Sequence, residues 1–123
     1  MVMFDTCILI EFSRANMVVK EKILQFQPNQ IFISDVTVFE FTAGARNKAD
    51  YNIIIEELKD YTNIPITAAI SEIFVKLGKT YALSHKLSVP DMLIASTAIY
   101  YDIPLFTINT KDFHFLPDIK LID

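Results

Sequence analysis

Short apolar runs alternate along this chain with stretches of helical spacing, and that alternation narrows the fold more than any other feature. Residues 1–4 read as a buried strand, stopped by Asp5 and followed by an apolar helix through about Phe12. A second short helix spans 17–27 and closes at Pro28-Asn29. Ile31-Phe32-Ile33 gives a second strand, after which Ser34 or Asp35 offers an N-cap for a helix reaching Gly44-Ala45. Residues 49–61 place Ile53, Ile54, Glu57, Leu58 and Tyr61 at helical spacing. Ile64-Pro65-Ile66 reads as a short strand whose proline argues for an edge or an end. The clearest period belongs to Ile70, Ile73, Phe74, Leu77 and Tyr81, which share one helical face. Pro90 opens a helix over 91–101, because a first-turn proline gives up an N–H that has no helical partner. Leu105-Phe106-Thr107 and Lys120-Leu121-Ile122 complete the strands. Strands and helices alternating across short connections give an α/β fold, with a central, mostly parallel sheet of about five strands covered by helices on both faces.

Composition closes off several other classes. The 123 residues fit one domain, 1–123, and suffice to bury a full core. A hydrophobic fraction of 52% against 21% charged residues excludes disorder. The single cysteine, Cys7, excludes a disulfide framework and a cysteine zinc site, and reads as a small core residue. His85 and His114 are too few and too far apart in sequence to suggest zinc; His85 suits a helix end. The net charge of −4 excludes a broad basic surface for nucleic acid. Gly44 and Gly78 are the only glycines, so a glycine-rich phosphate loop cannot be built. No apolar run approaches the ~18–20 residues of a membrane span, and no basic leader precedes the first apolar run. A cytoplasmic location, with no membrane partner, is the expectation.

Parallel wound sheets bind ligands outside the carboxyl ends of their strands, which directs attention to acids near those ends. Asp5 follows the first strand, Asp91 starts a helix behind Pro90, and Asn109 and Asp112 follow the strand at 105–107. Glu40 instead lies within a helix, on a face with Val36, Ala43 and Gly44. A buried, unpaired carboxylate there would cost several kcal/mol, so it must reach a rim or meet a cation. Each acid has an ordinary structural reading: Asp5 and Asp35 as caps, Asp91 as a first-turn helix-dipole charge. Together, at positions this topology favours for sites, they read better as a cluster whose mutual repulsion a divalent ion relieves. Hard oxygen ligands select Mg2+, with Mn2+ able to substitute.

Four segments carry a resemblance to a known family. Met3-Phe4-Asp5-Thr6-Cys7-Ile8-Leu9-Ile10 resembles the opening "hydrophobic-Asp-Thr/Ser-x-x-Leu-Ile" of PIN-domain ribonucleases. Ile33-Ser34-Asp35-Val36-Thr37-Val38-Phe39-Glu40-Phe41 is similar to their "I-S-x-x-T-x-x-E", and Val89-Pro90-Asp91-Met92-Leu93-Ile94-Ala95-Ser96-Thr97-Ala98 to their "D-x-L-I-A-A-x-A". Leu105-Phe106-Thr107-Ile108-Asn109-Thr110-Lys111-Asp112-Phe113 is similar to the closing "L-x-T-x-N/D-x-x-D-F". The four stand in the family's order from first strand to last, and the size suits the small VapC-type toxins of toxin–antitoxin pairs. The resemblance implies a three-layer α/β/α PIN-like domain and Mg2+-dependent endoribonuclease activity. It implies Asp5, Glu40 and Asp91 as metal-binding, catalytic acids, with Asn109 at the fourth acidic position and Asp112 as its substitute. Thr6 and Thr107 would orient carboxylates or water, and Arg14, Arg46, Lys48 and Lys111 would contact RNA. An antitoxin and a second copy of the chain are the implied protein partners, consistent with an apolar fraction high for a small domain.

Two other enzyme classes of this size fail on their motifs. A response-regulator receiver needs an acidic cluster after the first strand and a lone acceptor aspartate after a central one. A haloacid-dehalogenase-type phosphatase needs two aspartates flanking one residue, where this chain has Asp5-Thr6-Cys7. The remaining rival is a PIN-like domain with an impaired site, kept as an RNA- or protein-binding module. Asn109 speaks for it; intact Asp5, Glu40 and Asp91 speak against it.

Overall fold

The computed structural model describes residues 1–122. Five strands form one sheet: β1 (Val2–Phe4), β2 (Ile31–Ser34), β3 (Thr62–Ile64), β4 (Leu105–Phe106) and β5 (Leu121–Ile122). Their order is β3-β2-β1-β4-β5 and every neighbouring pair is parallel. Six helices connect them: α1 (Thr6–Ser13), α2 (Met17–Ile23), α3 (Asp35–Ala43), α4 (Lys48–Leu58), α5 (Ala68–Tyr81) and α6 (Val89–Tyr101).

The pleat of each strand sorts its side chains between the two faces of the sheet. Val2 and Phe4, Ile31 and Ile33, and Phe106 meet α1 and α2 residues Ile8, Leu9, Val19 and Ile23, with Ile54 and Leu58 of α4 against them. Met3 and Leu105, from the opposite face, meet Ile70 of α5 and Met92, Ile94, Ala95 and Ala98 of α6. Helix α3 reaches both layers: Val36 packs against the α5–α6 cluster, while Phe41 and Val38 join the other. Burying a side chain such as Phe4 or Met3, both fully inaccessible, stabilises by ~1.5–3 kcal/mol. The result is a three-layer α/β/α architecture.

Two strand-end details depart from the sequence reading. The third strand forms at Thr62–Ile64, upstream of Pro65, because proline has no N–H for the ladder. The Ile66 N–H instead donates to Asp35 Oδ2 at 3.1 Å, and Asn63 Nδ2 donates to Asp35 Oδ1 at 2.5 Å. Asp35 therefore ties α3 to the β3 edge, and Ser34 caps the helix by accepting from the Val36 N–H. Helix α2 stops at Ile23 rather than continuing to 27, since Gln27 caps a separate 3-10 turn, Pro28–Gln30, that leads into β2.

Candidate active site

Chain order along the sheet reverses beside β1: its neighbours β2 and β4 are far apart in sequence, so the connections leave in opposite directions. Such a switch point opens a crevice at the carboxyl ends of the strands. Asp5 leaves β1 there as the N-cap of α1, and Thr107 follows β4. Ser88 caps α6 by accepting from the Asp91 N–H at 3.3 Å, which sets Asp91 in the first turn.

Buried hydroxyls hold two of the acids. Asp5 is 5% exposed; its Oδ1 accepts from the Thr6 N–H at 2.8 Å and its Oδ2 from Thr107 Oγ1 at 2.8 Å. Thr107 Oγ1 in turn accepts from the Asn109 N–H at 3.0 Å. Glu40 Oε1 accepts from Thr6 Oγ1 at 2.8 Å, and Thr6 Oγ1 lies 3.0 Å from Thr37 Oγ1. Glu40 thus meets a hydroxyl rather than a guanidinium or ammonium.

Electrostatics define the rest of the cluster. Burial pushes the Asp91 carboxyl up to about 6, and the charges of Asp5, Asp112 and Glu40 push it the same way. Burial also raises Asp5, with repulsion from Asp112 adding to it and the Thr107, Cys7 and Thr6 hydrogen bonds opposing it. Four carboxylates from separate parts of the chain therefore act on one another. The four ion pairs formed among the described residues join Arg14 to Glu11, Arg46 to Asp50, Lys59 to Glu56 and Lys120 to Asp102, so none neutralises this cluster. Asp112, exposed in the 3-10 turn Thr110–Asp112, supplies the fourth charge, while Asn109 contributes its backbone N–H to Thr107.

The donor set is all oxygen and negatively charged, which suits a hard divalent cation. Among the described residues, however, no three His, Cys, Asp or Glu side chains stand in an arrangement that could hold a metal ion. The acids face one another as repelling charges, not as a closed cage.

Of the basic residues singled out by sequence, Arg14 and Arg46 line a cleft of about 560 Å3 together with Glu40, Phe41, Ile53 and Ile54. Each is already paired: Arg46 Nε with Asp50 Oδ2 at 2.8 Å, and Arg14 with Glu11 at 3.5 Å. Lys48 lies over the Tyr51 ring at 4.9 Å from its centroid, and Lys111 is exposed beside Asp112. His114 accompanies that segment with Nδ1 3.0 Å from the Lys111 carbonyl, and His85 stacks on Phe115 at 4.0 Å just beyond α5.

Three polar residues escaped the sequence reading. Cys7 packs half-buried against the core layer, but its Sγ also donates to Asp5 Oδ2 at 3.3 Å, and burial beside that carboxylate pushes the thiol up to about 11. Thr37 and Ser88 are the others, each bonded to a member of the site. Thr37 stands at the threonine of the quoted "I-S-x-x-T-x-x-E" segment, three positions before Glu40 on the same side of α3, and that position was the available signal for it.

A parallel sheet with helices on both faces and carboxylates converging at its switch point defines the class. The family description PIN domain matches residues 2–116, and the chain belongs to the PIN-domain family. Within that family it is similar to Ribonuclease VapC of Rickettsia bellii, 29% identical over 126 residues that span 96% of this chain and 92% of that protein. A toxin–antitoxin complex from Klebsiella pneumoniae contains a chain that superposes with a TM-score of 0.84 at 30% identity, over 100% of this chain and 97% of that one. VapBC2 from Rickettsia felis, bound to a DNA fragment from its promoter, matches with a TM-score of 0.87 at 22% identity over 98% and 96% of the two chains, a likeness of fold. No helix of the described residues is long and apolar enough to cross a membrane.

Proposed function

We propose that this chain is a Mg2+-dependent endoribonuclease of the cytoplasm, with Mn2+ able to substitute, and the toxin of a toxin–antitoxin pair. The observation that carries this reading is the gathering of Asp5, Glu40, Asp91 and Asp112 from separate parts of the chain, close enough to act on one another, with none of the four ion pairs among the described residues reaching them. Similarity to a protein named as a ribonuclease and to a chain of a toxin–antitoxin complex supports it. Asp5, Glu40, Asp91 and Asp112 would be the ion's ligands, with the Asn109 amide oxygen as a further one, and they would have to close on it from their present arrangement, in which no three could hold an ion. When bound, a divalent ion supplies Lewis acidity at the scissile phosphate and neutralises the facing carboxylates.

The chain's own groups do the positioning. Thr6 and Thr107 fix Glu40 and Asp5, so both carboxylates enter the reaction already oriented. Asp91, at about 6 while uncompensated, is ionised near neutral pH once positive charge faces it. Hydrolysis joins a water oxygen to phosphorus and breaks the bond to one ribose oxygen, which takes a proton. Arg14 and Arg46 would guide the RNA backbone along the cleft they line, each exchanging its present carboxylate partner for phosphate, with Lys48 and Lys111 as outer contacts. Exposed apolar side chains, including Phe39 at 72% and Ile53 at 69%, suit an antitoxin and a second copy of the chain as partners.

Asn109 favours a second reading, an impaired PIN module that binds without cleaving. Calorimetric titration of the full chain with MnCl2, with RNA cleavage followed in parallel, separates the two. The nuclease reading expects binding and cleavage that both fall in Asp91→Asn. Wild-type protein that neither binds Mn2+ at millimolar concentration nor cuts RNA would leave only the module.

A further inference from the structure

We infer that α4 is a hinged wall of the cleft, held against the body while Glu57 carries a proton and released when that proton leaves. Among the described residues, α4 is the least anchored of the six helices. Each of the others buries at least one side chain, whereas α4 buries none of its 11 residues. It leans on the sheet through the partly buried Ile54 and Leu58. Residues 44–47 lead in from α3 without regular structure, and a turn at 59–60 leads out. Tyr61, just beyond that turn, is anchored by its ring against Phe4, 5.9 Å between centroids. The helix can therefore swing between α3 and β3 while the sheet stays intact. Asp50, Ile53 and Ile54 line the cleft of about 560 Å3 together with Ile10 of α1 and Glu40 and Phe41 of α3, so such a swing widens it.

Glu57 makes the docking conditional. It lies three positions after Ile54 and four before Tyr61, on the side that meets the apolar layer, and its Oε1 is buried with no hydrogen-bond partner. A neutral carboxyl leaves one oxygen unsatisfied there; an ionised one places charge against apolar side chains at a far higher cost. Burial, with repulsion from Asp60 added, accordingly raises Glu57 from 4.5 to about 7. Charged groups on the neighbouring elements are engaged elsewhere. Glu11 and Arg14 of α1 pair with each other, Asp35 of α3 accepts from Asn63 and Ile66, and Glu40 accepts from Thr6. On α2, Lys20 and Glu21 are exposed, and Lys22 lies over the Phe106 ring. Glu56 of α4 pairs with Lys59 in solvent, and the Tyr61 phenol is raised by burial first, then by Glu57 and Asp60. Docked α4 thus holds a proton that the released helix gives up from pH 4.5 upward. Docking weakens from pH 4.5 to 7 and stays weak above that window.

Hydrogen exchange of the full chain, followed amide by amide between pH 5 and 8 and corrected for base-catalysed intrinsic rates, tests the hinge. In wild type, protection of amides 53–58 should fall by ~10-fold or more across that range, from a level already below that of β1 and β2. Glu57→Gln keeps the shape and cannot ionise, so its α4 protection should stay flat. Asp60→Asn removes the repelling charge and should move the transition to lower pH. Flat protection in wild type would overturn the inference, because the Glu57 side chain would then turn out to water with α4 still docked. Equal losses in wild type and Glu57→Gln would overturn it too, as would α4 amides no less protected than those of β1 and β2, since the helix would then open only with the whole fold. The readout needs neither metal nor RNA, so its outcome is independent of the nuclease reading.

Discussion

Two regions of this molecule take carboxylates out of water, and they do it differently. At the carboxyl pole of the sheet, Asp5 is nearly inaccessible yet accepts from a backbone N–H and two side chains. On α4, Glu57 is half-buried beside Ile54, Leu58 and Tyr61 of the apolar layer, and its Oε1 is buried with no hydrogen-bond partner. Burial, aided by Asp60, pushes Glu57 up to about 7, and the same surroundings raise the Tyr61 phenol. A raised pKa is common to both regions, so it does not by itself mark a site. What separates them is the partners: built donors around Asp5 and Glu40, and three like charges acting on Asp91, against an acid on α4 whose buried Oε1 accepts from nothing and which only Asp60 repels. The first arrangement is expensive to assemble, and the proposed cation would offset that cost; the second is a plain cost in stability.

The contrast breaks most visibly in activity. Asp91→Asn should lower RNA cleavage by roughly 1000-fold or more, while Glu57→Gln leaves it within about twofold, in assays with saturating Mg2+. Equal losses from the two would erase the distinction. Thr107→Val comes next, with an expected fall of ~10–100-fold in Mn2+ affinity, because Asp5 Oδ2 loses its shortest donor.

Stability should sharpen the same comparison from the other side. Because the carboxyl of Glu57 is raised from 4.5 to about 7, the unfolded chain releases this proton first as pH rises. The native state then binds more protons between those values, so stability falls across pH 4.5 to 7 and stays low above it. Asp91 contributes with the same sign over a lower window, from 3.8 to about 6. Thermal unfolding at pH 5 and pH 8 should therefore show Glu57→Gln more stable than wild type at pH 8, by ~1–2 kcal/mol after allowing for screening by solvent, with the gain nearly gone at pH 5. A variant less stable than wild type at pH 8 would mean that Glu57 has a compensating role. The smallest effect belongs to the surface pair Lys59–Glu56, both largely exposed; Lys59→Ala should change stability by less than ~0.5 kcal/mol in the same melts.

Much of the architecture was legible because it follows from local chemistry. Continuous apolar runs at Val2–Phe4 and Ile31–Ile33 specify strands buried on both faces, and Ser34 before α3 and Pro90 in the first turn of α6 specify where those helices begin. Pro65 gave the right kind of signal at the third strand, an end, but strand pairing decided on which side of it the strand lies. The acids Asp5, Glu40 and Asp91 could be picked out singly from their places after strands and within helices, while the nearness of Asp112 to Asp5 and Asp91 came only from the fold.

The sequence by itself determined the α/β class, the parallel sheet and the set of acids, since each depends on periodicity, capping or residue type within a short window. Only the tertiary structure decided who holds those acids: Thr6 for Glu40 and Thr107 for Asp5. Those bonds close over separations of up to 102 residues, and the Thr107 contact exists because β4 pairs with β1 in the register Met3–Leu105 and Phe4–Phe106. A hydroxyl's partner is set by tenths of an ångström at a strand crossing, a distance that the alternation of apolar and polar residues does not encode.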